Sequence, residues 1–559
     1  MRLAKLVIQN FRSIGPEPLT IPFSEEDNLA VLVGVNGAGK SNILYALGIV
    51  LSVYPYSRFE PDVHDFHCGD SQHELTIELH LREPIVERDV YQSEYKICGF
   101  RLRCWRLTRG DGKGILKKEH YCFGEDGKTL VKPERIAKKA KGGEKLESNY
   151  RPLLATDYTW RLGQLFYLDA PSLEKFFDRT TGWSPLGRLF DIYRDDFEAE
   201  KNQFEIKPGE YIPTRDAFAR LSRRLGDIMR TEKLAEIETQ LSQHTADYLG
   251  LGAATDALRL EFALPTHREL FDKAVSLHIA DCAGVPSLPA EYLGSGTRAL
   301  IRLAVIESLL ALSESDRQLV FLIEEPEIYL QVHLRRYFRR VLRRLADAGH
   351  QIICTSHSPE FVDLNFPAEV IRCVRGSTGQ TTVHQVAPKT AFDFGSVTMK
   401  LRTTGNEEIF FARYAFLTEG QDDQTIVELL LRASGVDPDT QGISVIQCGS
   451  ANNLPDYIRL CGALGIDCYV LHDEDDPTTQ ARRNARIAAA VGALGCALPS
   501  LHVFRPRLEH VLGEGEKCGL GVLVGKLEGK SYGDIAASYP DLVRPIAEFT
   551  ASRDLKVVP

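Results

Sequence analysis

Apolar residues along the chain follow three patterns. Leu3 to Ile8 alternates apolar and polar positions, Leu29 to Val33 is apolar throughout, and a helical pattern opens at Ser41. Apolar runs return at Leu319 to Ile323 and Gln351 to Thr355. Short continuous runs of this kind predict buried parallel strands, so these segments together predict an α/β sheet. Between them Leu75 to Leu81, Ile97 to Leu107 and His120 to Phe123 alternate as an antiparallel sheet does, with a glycine-rich turn at Gly110 to Gly114. They predict a β arm. From Ser172 to about Leu249 the pattern turns helical and strongly charged, with Arg and Glu recurring around Arg220 to Gln240. It predicts an inserted helical subdomain that could serve as a dimerisation surface. After Val386 the first series ends, Ala387 to Glu408 reads as a connector, and Tyr414 to Thr418 opens a second run of alternating strands and helices reaching at least Pro506.

Length and composition narrow this picture. A chain of 559 residues exceeds the size at which one core keeps growing, so two or three domains are expected. Its 12 cysteines form no C-x-x-C pair, which predicts reduced thiols in a cytoplasmic protein rather than a disulfide framework. The amino-terminal stretch has no signal-peptide character, and the most apolar helical run, Leu300 to Leu312, is interrupted by Arg302 and Glu307. No membrane span is expected. The net charge of -10 excludes a basic coat over the whole surface but not local patches. Two basic runs stand out: Lys132 to Lys145, and Leu334 to Leu345 with Arg335, Arg336, Arg339, Arg340, Arg343 and Arg344 expected on one helical face. Taken alone, each reads as a solvated loop or helix face.

The firmest chemistry lies in Gly34-Val35-Asn36-Gly37-Ala38-Gly39-Lys40-Ser41, which fits G-x-x-x-x-G-K-S/T between a strand and a helix. In such a P-loop Gly34, Asn36, Gly37 and Gly39 curl backbone N–H groups around phosphates. Lys40 reaches the β and γ phosphates of ATP, and Ser41 ligates Mg2+. The strand Leu319 to Ile323 ends in Glu324 and Glu325, as a Walker B motif does: Glu324 would hold the Mg2+ shell and Glu325 polarise water. Leu293-Gly294-Ser295-Gly296-Thr297 precedes a helix, so N–H groups at Ser295 and Gly296 could bind the γ-phosphate of a nucleotide held by another subunit. His357, in Ser356-His357-Ser358-Pro359, follows the strand at Gln351 in the place of a γ-phosphate sensor.

These elements, with Phe11-Arg12-Ser13-Ile14, resemble the SMC/RecF-like ABC-type ATPases. Glu324-Glu325-Pro326-Glu327 with Cys354-Thr355-Ser356-His357-Ser358-Pro359-Glu360-Phe361 is similar to the OLD (overcoming lysogenization defect) family, which couples such an ATPase to a C-terminal Toprim nuclease. One departure concerns the Q-loop glutamine expected after the first helix: Asp65 to Gly69 has none, and Gln72 is the nearest. The resemblance implies an ATPase N-terminal part with the β arm over 1–170, the helical insertion over 171–265, an ATPase C-terminal part over 266–390 and a Toprim domain over 409–559.

A Toprim domain needs one strand ending in Glu-Gly and a later one ending in Asp-x-Asp. Glu419-Gly420, followed by Asp423, and Asp473-Glu474-Asp475 meet that need. Parallel strands bring their C-terminal ends to one sheet edge, where these acids would converge and hold Mg2+ or Mn2+ for phosphodiester cleavage. By the resemblance Glu509 joins the metal site, and a C-terminal lysine stands near the scissile phosphate, with Lys530 the first choice and Lys526 the second.

The reading is an ATP-regulated, metal-dependent DNA endonuclease, cytoplasmic and homodimeric or of higher order. The resemblance extends to antiphage effectors, the Gabija nuclease subunit among them, some of which operate with a second defence protein. The competitor is a non-nucleolytic SMC/RecF-like ATPase that clamps DNA and keeps its Toprim fold for structure. Strand-passing or primase chemistry is disfavoured, since no tyrosine context or zinc module is evident.

Overall fold

The computed structural model describes residues 2–25, 27–53, 56–88, 93–108, 114–140, 143–168, 184–199, 201–229, 232–249, 278–279, 288–289, 292–312, 318–363, 365–376, 378–386, 394–476, 478–495, 500–515, 518–553 and 555. They divide into two units, residues 1–170 with 318–559, and residues 171–317.

In the first unit, an antiparallel sheet contains β1 (Leu3–Gln9), β2 (Leu19–Pro22), β4 (Leu75–Arg88), β5 (Glu94–Arg106) and β6 (Leu116–Phe123), in the order β2-β1-β4-β5-β6. Leu3, Leu6 and Ile8 are buried while Lys5 faces solvent, the one-sided burial expected of a strand in an antiparallel sheet. Leu3 to Ile8 therefore does not join the parallel sheet expected from the sequence. Nor do β4 to β6 form a separate arm. Their inner residues Ile77, Leu79, Phe100 and Leu102 share one core with Ile43, Leu44 and Leu47 of the helix Lys40–Val50. Of the glycine-rich turn at their tip, only Gly114 lies among the described residues. The lysine-rich run forms a hairpin of β7 (Val131–Ala140) and β8 (Gly143–Pro152).

The second sheet contains β3 (Leu29–Val33), β9 (Gln164–Leu168), β14 (Leu319–Glu324), β15 (Gln351–Thr355), β16 (Val370–Arg375) and β17 (Thr381–Gln385), in the order β17-β16-β3-β15-β14-β9. All its neighbours run parallel except β16 and β17. Buried throughout, β3 and β15 bring the P-loop and the segment at His357 to the same sheet edge.

The third sheet, β19-β18-β20-β21, is wholly parallel: β18 (Tyr414–Thr418), β19 (Ile443–Gln447), β20 (Asp467–Asp473) and β21 (Leu501–Phe504). Its mostly aliphatic core includes an aromatic cluster, with Phe416 and Phe549 rings 4.3 Å apart between centroids and Tyr469 against both.

The second unit has helices Pro185–Glu198, Thr214–Met229, Glu232–Leu249 and Ser295–Leu312. The helical stretch predicted from Ser172 is interrupted by a hairpin of β10 (Gln203–Lys207) and β11 (Glu210–Pro213), which turns at Gly209 with φ 81°, a left-handed conformation that glycine adopts without steric cost. A two-residue pairing joins β12 (His278–Ile279) and β13 (Leu288–Pro289). The start of the predicted insertion and its end at 265 lie outside the described residues.

The arginine helix, Val332–Asp347, corrects the expectation of one basic face. At 3.6 residues per turn adjacent residues sit about 100° apart, so the arginines form two rows. Arg339 and Arg343 are drawn inward to Glu369, and Arg343 also binds Asp27 and Asp347, whereas Arg336 and Arg340 are exposed. Among the described residues no helix is long and apolar enough to cross a membrane.

Candidate functional site

The P-loop lines a cavity of about 800 Å3 together with Arg12, Ser13, the 64–69 loop, Glu325, His357, Arg375 and Gly379. Asn36, Gly37, Gly39, Lys40 and Ser41 all face it. Gly34, at φ 142°, and Gly39, at φ 98°, leave no room for a side chain: a Cβ would collide with the Cys373 carbonyl at the first and with Thr381 and Ser13 at the second. Buried Lys40 donates from Nζ to the carbonyls of Gly34 at 2.8 Å and Val35 at 3.1 Å. Burial lowers its pKa, opposed by the nearby Cys373, Glu325, Glu327 and Glu324. A tightly curled loop around a desolvated cation fits a nucleoside triphosphate. Gln72 does not line the cavity; its N–H donates to Asp70.

Glu324 closes β14, and the next residue turns sharply. Glu325 takes φ 45°, and its N–H donates to both the carbonyl and Oγ1 of Thr355 on β15. The bend aims Glu325 at the cavity, where its Oε1 lies 3.5 Å from His357 Nε2. Burial and the Lys40 charge lower the pKa of His357, with Glu325 opposing, which favours neutral imidazole. Sequence reasoning missed the group holding this histidine. Glu327 is buried and accepts from His357 N at 2.6 Å and Ser356 Oγ at 3.0 Å, and burial raises its pKa. The third acid of Glu324-Glu325-Pro326-Glu327 was the available signal.

Ser295 and Gly296 open the helix Ser295–Leu312 in the second unit, with Arg298 N bonded to Gly294 O. Helix geometry leaves first-turn N–H groups to an outside acceptor.

At the third sheet, β18 and β20 are adjacent, so Glu419 and Asp473 leave the same edge. Glu419 Oε1 accepts from Asp473 N at 2.8 Å, Asp473 Oδ1 from Leu508 N at 3.0 Å, and Asp423 Oδ2 from Gly420 N at 3.0 Å. Burial, then the neighbouring carboxylates, pushes Glu419, Asp423 and Asp473 each up to about 7. Glu509, buried in the short helix Leu508–Val511, is among the charges that raise Asp423 and Asp473. Among the described residues no three His, Cys, Asp or Glu side chains form a ready-made ion cage. The donor set is nonetheless all oxygen, half-buried at Glu419, Asp423 and Asp473 and buried at Glu509, and mutually repelling, which suits a hard divalent cation.

Asp475 is placed differently. Arg483 binds its Oδ2 at 3.0 Å and Arg507 its Oδ1 at 2.6 Å; against the upward push of burial, these bonds bring its pKa below the usual value. Both arginines went unremarked in the sequence, since nothing in their spacing points back to Asp475. Of the two lysines, Lys526 donates to Leu512 O at 2.7 Å and Glu514 Oε1 at 2.5 Å, just beyond the helix of Glu509. Lys530 is exposed, 5.4 Å from the centre of the Tyr539 ring.

Comparison with known proteins gives two family matches. An AAA ATPase domain model matches residues 1–151 and 197–362, and an overcoming lysogenization defect protein-like TOPRIM domain model matches 410–475. Among curated relatives, the OLD nuclease of Thermus scotoductus is 29% identical over 542 residues, 92% of each chain. The Old nuclease of Escherichia phage P2 is 23% identical, over 85% of this chain and 77% of that one. An SMC head bound to the C-winged helix domain of ScpA covers 70% of this chain at 18% identity and a TM-score of 0.40, a likeness too low to carry an argument. Fold and matches define an ATPase joined to a Toprim nuclease domain. The chain belongs to the AAA ATPase domain family, and its residues 410–475 match the overcoming lysogenization defect protein-like TOPRIM domain.

Proposed function

We propose that this protein is a divalent-metal-dependent DNA endonuclease, nicking or cutting both strands, whose cleavage is governed by ATP binding and hydrolysis, and that it serves antiphage defence in the cytoplasm. The observation carrying the reading is the convergence of Glu419, Asp423 and Asp473 on one sheet edge, each raised to about 7 by burial and by its neighbours. The nuclease names of the two relatives agree with it.

In this reading Glu419, Asp423, Asp473 and Glu509 hold Mg2+ or Mn2+, whose chemistry is to activate water and stabilise the leaving oxygen. Asp475 would join that ligand set by leaving Arg483 and Arg507, and Lys530 or Lys526 would offset charge on the phosphate. At the other site Lys40 neutralises phosphate charge, Ser41 and Glu324 hold Mg2+, Glu325 orients water, and His357 reads the γ-phosphate. Ser295 and Gly296 complete the nucleotide site of a partner, which makes the protein a homodimer or larger, and a second defence protein is a further partner. The proposed domain limits remain 1–170, 171–265, 266–390 and 409–559.

The rival, a non-nucleolytic DNA-clamping ATPase, draws on the commitment of Asp475 to Arg483 and Arg507. Plasmid nicking with Mg2+ or Mn2+, with and without ATP, on wild type, Glu419→Ala and Lys40→Ala decides between them. Metal-dependent nicking abolished by Glu419→Ala supports the nuclease; nicking that survives refutes the site; none under any condition favours the clamp.

A further inference from the structure

The β16–β17 hairpin faces the nucleotide cavity on one side and the foot of the third sheet on the other. Toward the nucleotide, Arg375 and Gly379 line the cavity, the Cys373 carbonyl packs against Gly34, and Thr381 Oγ1 donates to Ala38 O at 3.0 Å. Arg372 lies beside Val33 on the P-loop strand and sends its guanidinium the other way. It is 3% exposed, and among the described residues its acceptors are all backbone carbonyls: Leu464 and Gly465, each at 3.0 Å, Phe410 at 3.3 Å, and Ala412. Phe410 and Ala412 lead into β18, which ends before Glu419; Leu464 and Gly465 lead into β20, which ends at Asp473. His384 of β17 packs on the same foot, since a Cβ at Gly465 would strike its ring.

One cation thus grips the near ends of the two strands whose far ends carry the acids. Buried charge is costly unless fully hydrogen-bonded, and a planar fork meeting several carbonyls cannot be copied by an ammonium group. Burial lowers the pKa of Arg372 to about 10, within which it remains charged at neutral pH. Because the hairpin wall contacts the P-loop glycines, a shift of that wall on nucleotide binding moves the guanidinium and both strands together.

We propose that Arg372 is a positioning residue that couples nucleotide occupancy of the P-loop to the relative placement of Glu419 and Asp473. The inference rests on the nuclease reading above. In the full-length protein, the ratio of Mg2+-dependent plasmid nicking with and without a non-hydrolysable ATP analogue is compared among wild type, Arg372→Lys and the milder His384→Ala. A coupled pair of sites gives a wild-type ratio that departs from one by about fivefold or more, in either direction. Arg372→Lys brings it within about twofold of one and His384→Ala part of the way, while nucleotide-free nicking and ATP hydrolysis stay within about threefold. Hydrogen exchange of β18 and β20 provides a readout independent of cleavage: the analogue changes their protection in wild type and not in Arg372→Lys. Variants keeping the wild-type ratio overturn the proposal, as does a loss of melting temperature and both activities with the ratio intact, the mark of a mere staple. If wild type does not cleave, the nuclease reading fails while hydrogen exchange still decides the coupling; no analogue-dependent change there also overturns it.

Discussion

At the nucleotide cavity the centre is a cation, Lys40, satisfied by carbonyls of its own loop. At the third sheet the centre is ringed by carboxylates that, among the described residues, accept from the N–H groups of Gly420, Asp473 and Leu508. Both sites use parallel strands to deliver charge to a sheet edge. They differ in how repulsion is handled: the P-loop presents one sign with its partners present, while the acids crowd one sign together, which with burial raises their pKa values. The first is shaped in advance for a nucleotide, and the second would be completed by the divalent cation proposed for it.

The strongest test of this contrast is Glu419→Ala. Loss of a direct metal ligand, the role proposed for Glu419, should cut nicking by at least about 100-fold, since outer partners of metal sites already account for about 10–100-fold, with ATP hydrolysis unchanged in a coupled colorimetric assay. Lys40→Ala should lower ATP hydrolysis by about 100-fold or more, the scale of losing a preorganised charge at a transition state. Titration with a fluorescent ATP analogue would show binding weakened too, and unchanged binding would contradict the role given to Lys40. Glu327→Ala leaves His357 N and Ser356 Oγ without their buried acceptor, which costs about 1–3 kcal/mol of stability. Denaturant unfolding measures that loss, and ATP hydrolysis should fall more than ATP binding.

The smallest effect is one of pH. Glu419, Asp423 and Asp473, ordinarily titrating near 4, are each raised to about 7 in the folded protein. The native state therefore holds more protons than the unfolded one between those values, and the stability these groups contribute is full below about 4 and lost as pH rises through about 7. Melting temperatures in chelator should fall by a few degrees across that window. Mg2+ should restore them, most strongly at the alkaline end; a metal effect independent of pH would break the contrast.

What could be read in advance follows the same divide. The P-loop, the acid-ended strand at Glu324 and the Glu419 and Asp473 pair were legible because each is a local spacing of charged residues after an apolar run. That β1 joins a half-buried antiparallel sheet was also written in the chain, in Leu3, Leu6 and Ile8 against Lys5, but was outweighed by proximity to β3 in sequence. The two arginine rows of Val332–Asp347 were invisible because their partners Asp27 and Glu369 lie in distant segments. Arg372 was illegible for a deeper reason: it binds carbonyls, which every residue carries and no residue type announces.

The same guanidinium bears on how the protein can be dissected. A nuclease fragment beginning after residue 390 would leave the carbonyls of Phe410, Ala412, Leu464 and Gly465 without their donor and uncover the surface that Arg372 and His384 occupy. The complementary fragment would expose Arg372 and the apolar surface around it to water without the carbonyls it now binds. Such halves are prone to aggregate or to recombine, so a cut at the connector reports on the broken joint as much as on either activity.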